Sequence, residues 1–116
     1  MFYVADVDMR LITMEMSDAV HSRRCYKKSN TEVIIDNNSN ASVYLFENKI
    51  IQTDGEEVTY DSCGWKTNIA KERLNGLMPK GYTIIQRKSE WHISRNGNIV
   101  GKWEDGITNN EIIAMG

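Results

Sequence analysis

The stretch WHISRNGNIVGKW, residues 91–103, decides the fold class, because it has the pattern of a two-stranded β-hairpin. At its centre lies Asn96-Gly97, a dipeptide that tolerates the positive φ angles of both central residues in a type I′ turn. Residues 91–95 and 98–103 are therefore predicted to pair as antiparallel strands.

A two-residue turn also fixes which residues of the predicted hairpin face each other. The predicted pairs are Arg95 with Asn98, Ile93 with Val100, and Trp91 with Lys102. Trp91, Ile93 and Val100 would share the core face, and Arg95 and Lys102 would lie toward the ends of that face, where long side chains reach water. Trp103 would point to the opposite face and is the aromatic residue expected to be exposed.

Upstream of the hairpin, four short segments alternate with turn signals. The segments cover residues 33–35, 43–46, 49–53 and 58–61. Residues 37–40 form a loop by composition, Glu47-Asn48 makes a tight turn, and Asp54-Gly55 is a strong hairpin pair. Short strands joined in this way predict an antiparallel β-meander.

A central helix is predicted between the meander and the hairpin, over about residues 67–77. Thr67 or Asn68 would cap it, since each offers a side-chain oxygen to unpaired amides, and Pro79-Lys80-Gly81 would end it. Its apolar stripe, which would pack on one face of the sheet, consists of Ala70, Leu74, Leu77 and Met78. Lys66, Lys71 and Arg73 would lie away from that stripe. Residues 82–87 form the next predicted strand.

The predicted fold class is therefore α+β. The N-terminal part is the least defined, with a short strand predicted over residues 2–7 and a helix over 9–26. In that helix Ile12, Met16, Ala19 and Val20 repeat at helical spacing. We divide the chain into an N-terminal extension, residues 1–30, and a single α+β domain, residues 31–116.

Composition restricts the class of protein. The chain has 116 residues, enough to bury a core, and its net charge of −2 argues against a general attraction to nucleic acid or anionic membranes. Two cysteines form no disulfide framework, so a reducing compartment is expected. No segment approaches the ~20 apolar residues of a membrane span, and the start lacks the basic region of a signal peptide.

The charges are divided along the chain. Residues 32–61 carry seven carboxylates and one lysine, a net charge of −6, whereas residues 66–102 carry eight bases and two acids, a net charge of +6. Such a division is typical of a partner surface, but it would also arise if the two halves packed together and neutralised each other. Both interpretations remain open from the sequence.

Catalysis and metal binding have weak support. Cys63 precedes the central helix, whose N-terminus could stabilise a thiolate, and His92 could act as its base, but no nucleophile motif is present. His21, Cys25, Cys63 and His92 could ligate zinc, but they lack the close Cys-x-x-Cys pair of structural zinc sites. Glycine-rich phosphate-binding motifs are absent. We therefore expect a protein that is not an enzyme and has no cofactor.

Nucleic-acid binding has more support, because basic residues are interleaved with aromatic ones from Trp65 to Trp103. Single-strand binders combine cations with aromatic stacking platforms. The alternative is that these aromatic residues fill the core, which we favour for most of them.

The chain resembles, over residues 31–108, a family of small, mostly uncharacterised proteins encoded by tailed bacteriophages. The shared motifs are Gly64-Trp65-Lys66-Thr67, Lys71-Glu72-Arg73-Leu74-Asn75, Tyr82 with Gln86, Trp91, and Trp103-Glu104-Asp105-Gly106. Ile69-Ala70 depart from the pattern, since family members often carry two threonines there. The resemblance implies a phage origin and supplies no activity.

These observations favour a phage accessory protein that binds a host or host-defence protein in the host cell cytoplasm. The alternatives are a nucleic-acid-binding module and a minor virion component, and a free edge strand would suit a homodimer. The candidate residues for binding a partner or nucleic acid are Lys66, Lys71, Arg73, Arg87, Lys88, Arg95, Lys102 and Trp103.

Overall fold

The computed structural model describes the backbone of residues 2–116 and the side chains of residues 9–116. Its elements are α1 (Phe2–His21), β1 (Tyr26–Lys28), β2 (Thr31–Ile35), β3 (Ala41–Leu45), β4 (Asn48–Thr53), β5 (Val58–Tyr60), α2 (Asn68–Asn75), β6 (Tyr82–Arg87), β7 (Glu90–Arg95), β8 (Asn98–Lys102), β9 (Ile107–Thr108) and α3 (Asn109–Ala114). The predicted α+β class is confirmed.

The larger sheet is an antiparallel meander of order β1-β2-β3-β4-β5-β9. Its strands are aligned so that one row of paired residues crosses all six strands. This row is Tyr26, Val33, Val43, Ile51, Tyr60 and Ile107. All but Tyr26 are buried and Tyr26 packs against the core, so the row forms the inner face of the sheet.

A β-bulge interrupts this sheet at Ile50. Val43 pairs with Ile51 and Tyr44 pairs with Lys49, which leaves Ile50 as an extra residue on β4. Ile50 and Ile51 are therefore both buried although they are adjacent in sequence. The bulge allows one strand to turn two consecutive apolar side chains inward.

The smaller sheet has the order β6-β7-β8 and contains the predicted hairpin. Asn96 and Gly97 have φ angles of 50° and 91°, and Arg95 pairs with Asn98, so the turn and the first pair are confirmed. The two pairs predicted further from the turn are wrong. Val100 is an extra residue, which brings Ile93 opposite Gly101 and His92 opposite Lys102.

This second bulge also corrects the prediction for Trp103. Side chains alternate between the faces of a strand, so one extra residue moves every later side chain to the other face. Trp103 consequently lies on the core side, only 7% exposed, with its ring 5.8 Å from that of Trp91 in an edge-to-face arrangement. The prediction that Trp103 is exposed is wrong.

The central helix is confirmed as α2, and Thr67 is its cap, since the Thr67 hydroxyl accepts a hydrogen bond from the Ala70 amide at 3.1 Å. Ala70 and Leu74 are buried in the core, and Leu77 and Met78 pack against it. The placement predicted for Arg73 is wrong, because Arg73 is 1% exposed. Its guanidinium donates hydrogen bonds to groups of α1 and β2.

The strand predicted over residues 2–7 is wrong, because Phe2–His21 is one helix. Met16, Ala19 and Val20 of α1 are buried in the same core cluster as the sheet residues.

Three short elements, β1, β9 and α3, were not predicted from the sequence. The division of the chain at residue 30 stays a prediction. None of the helices within residues 2–116 combines the length and apolarity of a membrane span.

Candidate interaction cleft

An apolar cleft of about 520 Å³ opens where the core meets solvent at one end of the larger sheet. We call it the aromatic cleft, and its lining residues are Leu45, Phe46, Asn48, Ile50, Ser62, Trp65, Thr67 and Ala70. The β3–β4 turn forms one side, and the loop leading into α2 forms the other. A pocket of this size and lining is typical of sites that bury a ligand or an anchoring side chain.

Two aromatic side chains flank the cleft and are exposed. Phe46 is 63% exposed and Trp65 is 67% exposed, whereas Leu45, Ile50 and Ala70 are buried members of the core. Trp65, rather than Trp103, is therefore the tryptophan that reaches solvent. Its position in a Gly-Trp loop ahead of a capped helix was the available sequence signal.

Both sides of the cleft are built on left-handed backbone. Phe46 and Glu47 have φ angles of 48° and 68°, and Cys63 and Gly64 have φ angles of 56° and 81°. A bulky residue such as Phe46 rarely occupies this region, where the side chain is crowded by the backbone. The Phe46 amide is held by a 2.8 Å hydrogen bond to the Asn30 carbonyl. Residues kept in strained conformations concentrate at functional sites.

Asp105 fastens the loop on the Trp65 side to the C-terminal part of the chain. Its carboxylate accepts hydrogen bonds from the Ser62 amide at 2.8 Å, the Ser62 hydroxyl at 2.9 Å and the Trp103 indole N–H at 2.9 Å. Burial acts to raise the pKa of Asp105, but the hydrogen bonds from Ser62 and Trp103, together with the positive charge of Lys66, outweigh it and leave this pKa below its usual value. Through these hydrogen bonds, Asp105 and Trp103 hold Ser62, a lining residue of the cleft, in place.

Cys63 lies beside the cleft, but its chemistry does not favour nucleophilic attack. Burial, together with the charges of Asp61 and Asp105, raises the pKa of the Cys63 thiol, and the thiol donates to the Lys49 carbonyl at 3.1 Å. The thiolate that the sequence left conceivable at Cys63 is therefore disfavoured. Within residues 9–116, no three His, Cys, Asp or Glu side chains are grouped closely enough to hold a metal ion.

The basic residues predicted to bind a partner are scattered. Arg87 and Lys88 lie at one end of β7 and Arg95 at the other, about 17 Å away along the strand. Lys102 forms an ion pair with Glu90 at 3.8 Å, and the guanidinium of Arg95 lies over the Tyr82 ring. Lys66 and Lys71, the latter only partly exposed, adjoin lining residues of the aromatic cleft in sequence. A binding role for these exposed cations stays a prediction.

Arg73 is a structural centre instead of a surface residue. Its guanidinium donates to the Thr31 hydroxyl at 2.9 Å, the Thr13 hydroxyl at 2.8 Å and the Met9 carbonyl at 3.0 Å. It therefore joins α2 to β2 and α1. Asn75 follows Arg73 by two residues in α2. Its side-chain oxygen accepts a hydrogen bond from the Ile84 amide at 2.7 Å, which fixes α2 against β6.

The divided charge along the chain is not cancelled by ion pairs between the two halves. Within residues 9–116, the ion pairs are Arg24–Asp18, Lys28–Glu15 and Lys102–Glu90, and none of them joins residues 32–61 to residues 66–102. Asp36, Asp54, Glu56 and Glu57 lie in loops at the end of the meander opposite the β3–β4 turn, because successive strands run antiparallel. These four carboxylates are therefore remote from the aromatic cleft, whereas Glu47 and Asp61 adjoin its lining residues Phe46 and Ser62 in sequence.

Comparison with known proteins gives one match. No curated protein and no solved structure matches the chain. The model of a family described as Kyanoviridae Gp96 protein matches residues 9–110, which include the aromatic cleft and the Arg73 cluster. This match agrees with the resemblance to phage proteins, while the motif pattern quoted for that resemblance stays a prediction. The chain belongs to the Kyanoviridae Gp96 protein family, a family of phage proteins.

Proposed function

We propose that this phage protein is a non-catalytic accessory protein that binds a host or host-defence protein through the aromatic cleft. One observation carries the proposal: Phe46 and Trp65 are exposed on either side of an apolar cavity of about 520 Å³. Exposing two large aromatic side chains to water has a free-energy cost that a bound partner would remove.

The geometry of the cleft supports a protein partner. Aromatic residues are enriched at the centres of protein interfaces, where a few buried side chains dominate the binding free energy. Phe46 and Trp65 stand on short, hydrogen-bonded turns, so binding them costs little conformational entropy. Phe46 also keeps a positive φ angle of 48°, which is rare for a bulky residue, and this supports a role in recognition.

Affinity purification of the tagged protein from infected host cells tests the proposal. The wild-type chain should retain a specific host protein, and Phe46→Ser and Trp65→Ser should each reduce its recovery at least ~10-fold, as expected for central interface residues. Ile113→Ser is the matched control, because Ile113 is an exposed apolar residue on α3 outside the cleft. Equal recovery by all four proteins would contradict the proposal.

A further inference from the structure

We propose that Asn96, at the tip of the β7–β8 hairpin, is a site of spontaneous chemical modification, in which water converts the side-chain amide to aspartate or isoaspartate. The chain contains two Asn-Gly dipeptides, Asn75-Gly76 and Asn96-Gly97. In this dipeptide the reaction meets little steric hindrance, because glycine has no Cβ and its backbone rotates freely. Neither dipeptide lines the aromatic cleft, so the inference is independent of the proposed function.

The reaction begins at the backbone amide of the glycine. Once hydroxide has removed its proton, the Gly97 nitrogen attacks the side-chain carbonyl carbon of Asn96 and a C–N bond forms. The former side-chain nitrogen takes a proton from water and leaves as ammonia. The resulting succinimide adds water at either carbonyl, and its C–N bond opens to give aspartate or isoaspartate. Overall, one water is consumed and one ammonia is released.

At the hairpin tip both reacting groups are free. Asn96 and Gly97 are exposed, and nothing lies within 4 Å of the position that a Cβ would take on Gly97. Across residues 2–116 the Gly97 amide donates no hydrogen bond. The nitrogen reaches the side-chain carbon only after the type I′ turn opens. This opening releases only the Arg95–Asn98 pair and the 3.1 Å hydrogen bond from the Asn96 amide to the Gly81 carbonyl.

Asn75-Gly76, at the end of α2, is held in place instead. The Asn75 side-chain oxygen accepts from the Ile84 amide at 2.7 Å, and its side-chain nitrogen donates to the Ile84 carbonyl at 3.3 Å. The Gly76 amide donates to the Arg73 carbonyl at 3.1 Å, and a Cβ on Gly76 would lie 2.5 Å from the Thr13 methyl group. Cyclisation at Asn75 therefore requires the end of α2 to leave both β6 and α1.

The modification should weaken the hairpin. Isoaspartate continues the backbone through its Cβ, which adds one methylene group to a turn that holds Asn96 and Gly97 at positive φ angles. The register of the hairpin depends on the length of its loop. An extra backbone atom is therefore incompatible with the two-residue geometry that pairs Arg95 with Asn98.

Peptide mapping of the aged full chain tests the proposal. Trypsin places the two dipeptides in separate peptides, residues 74–80 and 96–102, and synthetic peptides with asparagine, aspartate or isoaspartate serve as standards. When the folded chain is incubated in mildly alkaline buffer, Asn96 should be converted at least ~10-fold faster than Asn75, because each rate depends on the free energy of local opening. In urea, which removes both environments, the two rates should converge.

Asn96→Gly is the matched variant, because Gly-Gly also suits a type I′ turn. It should remove all conversion from the peptide 96–102, although that peptide still contains Asn98. Ageing should lower the urea midpoint of the wild-type chain and leave that of the variant unchanged.

Equal conversion of Asn75 and Asn96 in the folded chain, or conversion of neither, would overturn the proposal. Conversion that persists in the peptide 96–102 of the variant would assign the reaction to Asn98 and overturn it as well. A wild-type chain that is converted at Asn96 but keeps its urea midpoint would refute the effect on the hairpin.

Discussion

Within residues 9–116, Arg73 is the largest side chain that is almost completely buried, and its position explains why α1, α2 and β2 meet. Burial lowers the pKa of Arg73 from its usual value, yet a guanidinium stays protonated in proteins, so a charge is held inside the molecule. Its hydrogen bonds to Thr13, Thr31 and Met9 offset part of the desolvation cost.

Replacing Arg73 should therefore destabilise the protein more than replacing any exposed cation. Arg73→Lys cannot reproduce the planar fork, and we expect it to lower the free energy of unfolding by about 2–4 kcal/mol, because it leaves buried hydroxyl and carbonyl groups unpaired. Urea unfolding measures this change. Lys88→Arg, an exchange of the same two residue types at an exposed turn, should stay within about 0.5 kcal/mol. Similar values for both variants would refute the structural role of Arg73.

Asp105 makes a pH-dependent contribution to stability. Because its pKa is lower in the folded chain than in the unfolded chain, its contribution is fully present above the unfolded pKa of about 4 and is lost as the pH falls through the folded pKa. Asp105→Asn should lower the free energy of unfolding at pH 7 by about 1–2 kcal/mol. Urea unfolding from pH 7 to pH 3 should show this difference shrinking below about pH 4. A difference that is constant with pH would contradict the argument.

The sequence pattern predicts the burial of a single residue well only where it also predicts the strand register around that residue. Trp91 and Ile93 were predicted as core residues and are buried, whereas Trp103 was placed on the wrong face by an alternation that Val100 interrupts. Gly101 beside the bulge was a signal, since glycine inside a strand often marks one. Arg73 was misplaced because arginine is rarely buried, and its partners come from distant parts of the chain.

At the scale of elements, three of the four two-residue hairpin turns within residues 9–116 have positive φ angles at both residues, and one of these three borders the aromatic cleft. Asn96-Gly97 is the favoured pair for a type I′ turn, while Phe46-Glu47 and Lys88-Ser89 also have positive φ angles at both residues. The strands on either side determine that a turn is needed, so the sequence predicted the Asn96-Gly97 turn correctly and the β3–β4 turn to within one residue. The exposure of Phe46 was not predictable, because it depends on the cavity beside it.

Replacing Phe46-Glu47 by Asn-Gly should stabilise the fold and remove its function. Relief of the left-handed strain should raise the free energy of unfolding by about 1 kcal/mol. The same change should abolish recovery of the host partner, because Phe46 is lost from the cleft. Lys88-Ser89 replaced by Asn-Gly is the matched control: it should give a similar gain in stability without loss of the partner. If both variants fail to recover the host protein, the cleft is not the binding surface.

At the scale of the whole molecule, the core joins parts that the sequence separated. The predicted N-terminal extension supplies Met16, Ala19 and Val20 to the same cluster as Val43 of β3 and Leu74 of α2. Helical spacing identified those three residues, but their packing partners lie far away in sequence and could not be identified from local pattern. The family match begins at residue 9, so it also includes the helical residues that contact the core.

Met16→Ala tests whether α1 folds as one unit with the rest. Met16 is completely buried, so we expect the free energy of unfolding to fall by about 2–5 kcal/mol, whereas Met14→Ala, at an exposed position of the same helix, should change it by less than about 0.5 kcal/mol. Urea unfolding followed by helical circular dichroism reports on α1 and α2, and emission from the buried Trp91 and Trp103 reports on residues 31–116. If the core is shared, Met16→Ala will shift both transitions to the same lower midpoint. A shift of the circular dichroism transition alone would mean that α1 unfolds separately and that residues 31–116 form the independent domain predicted from the sequence.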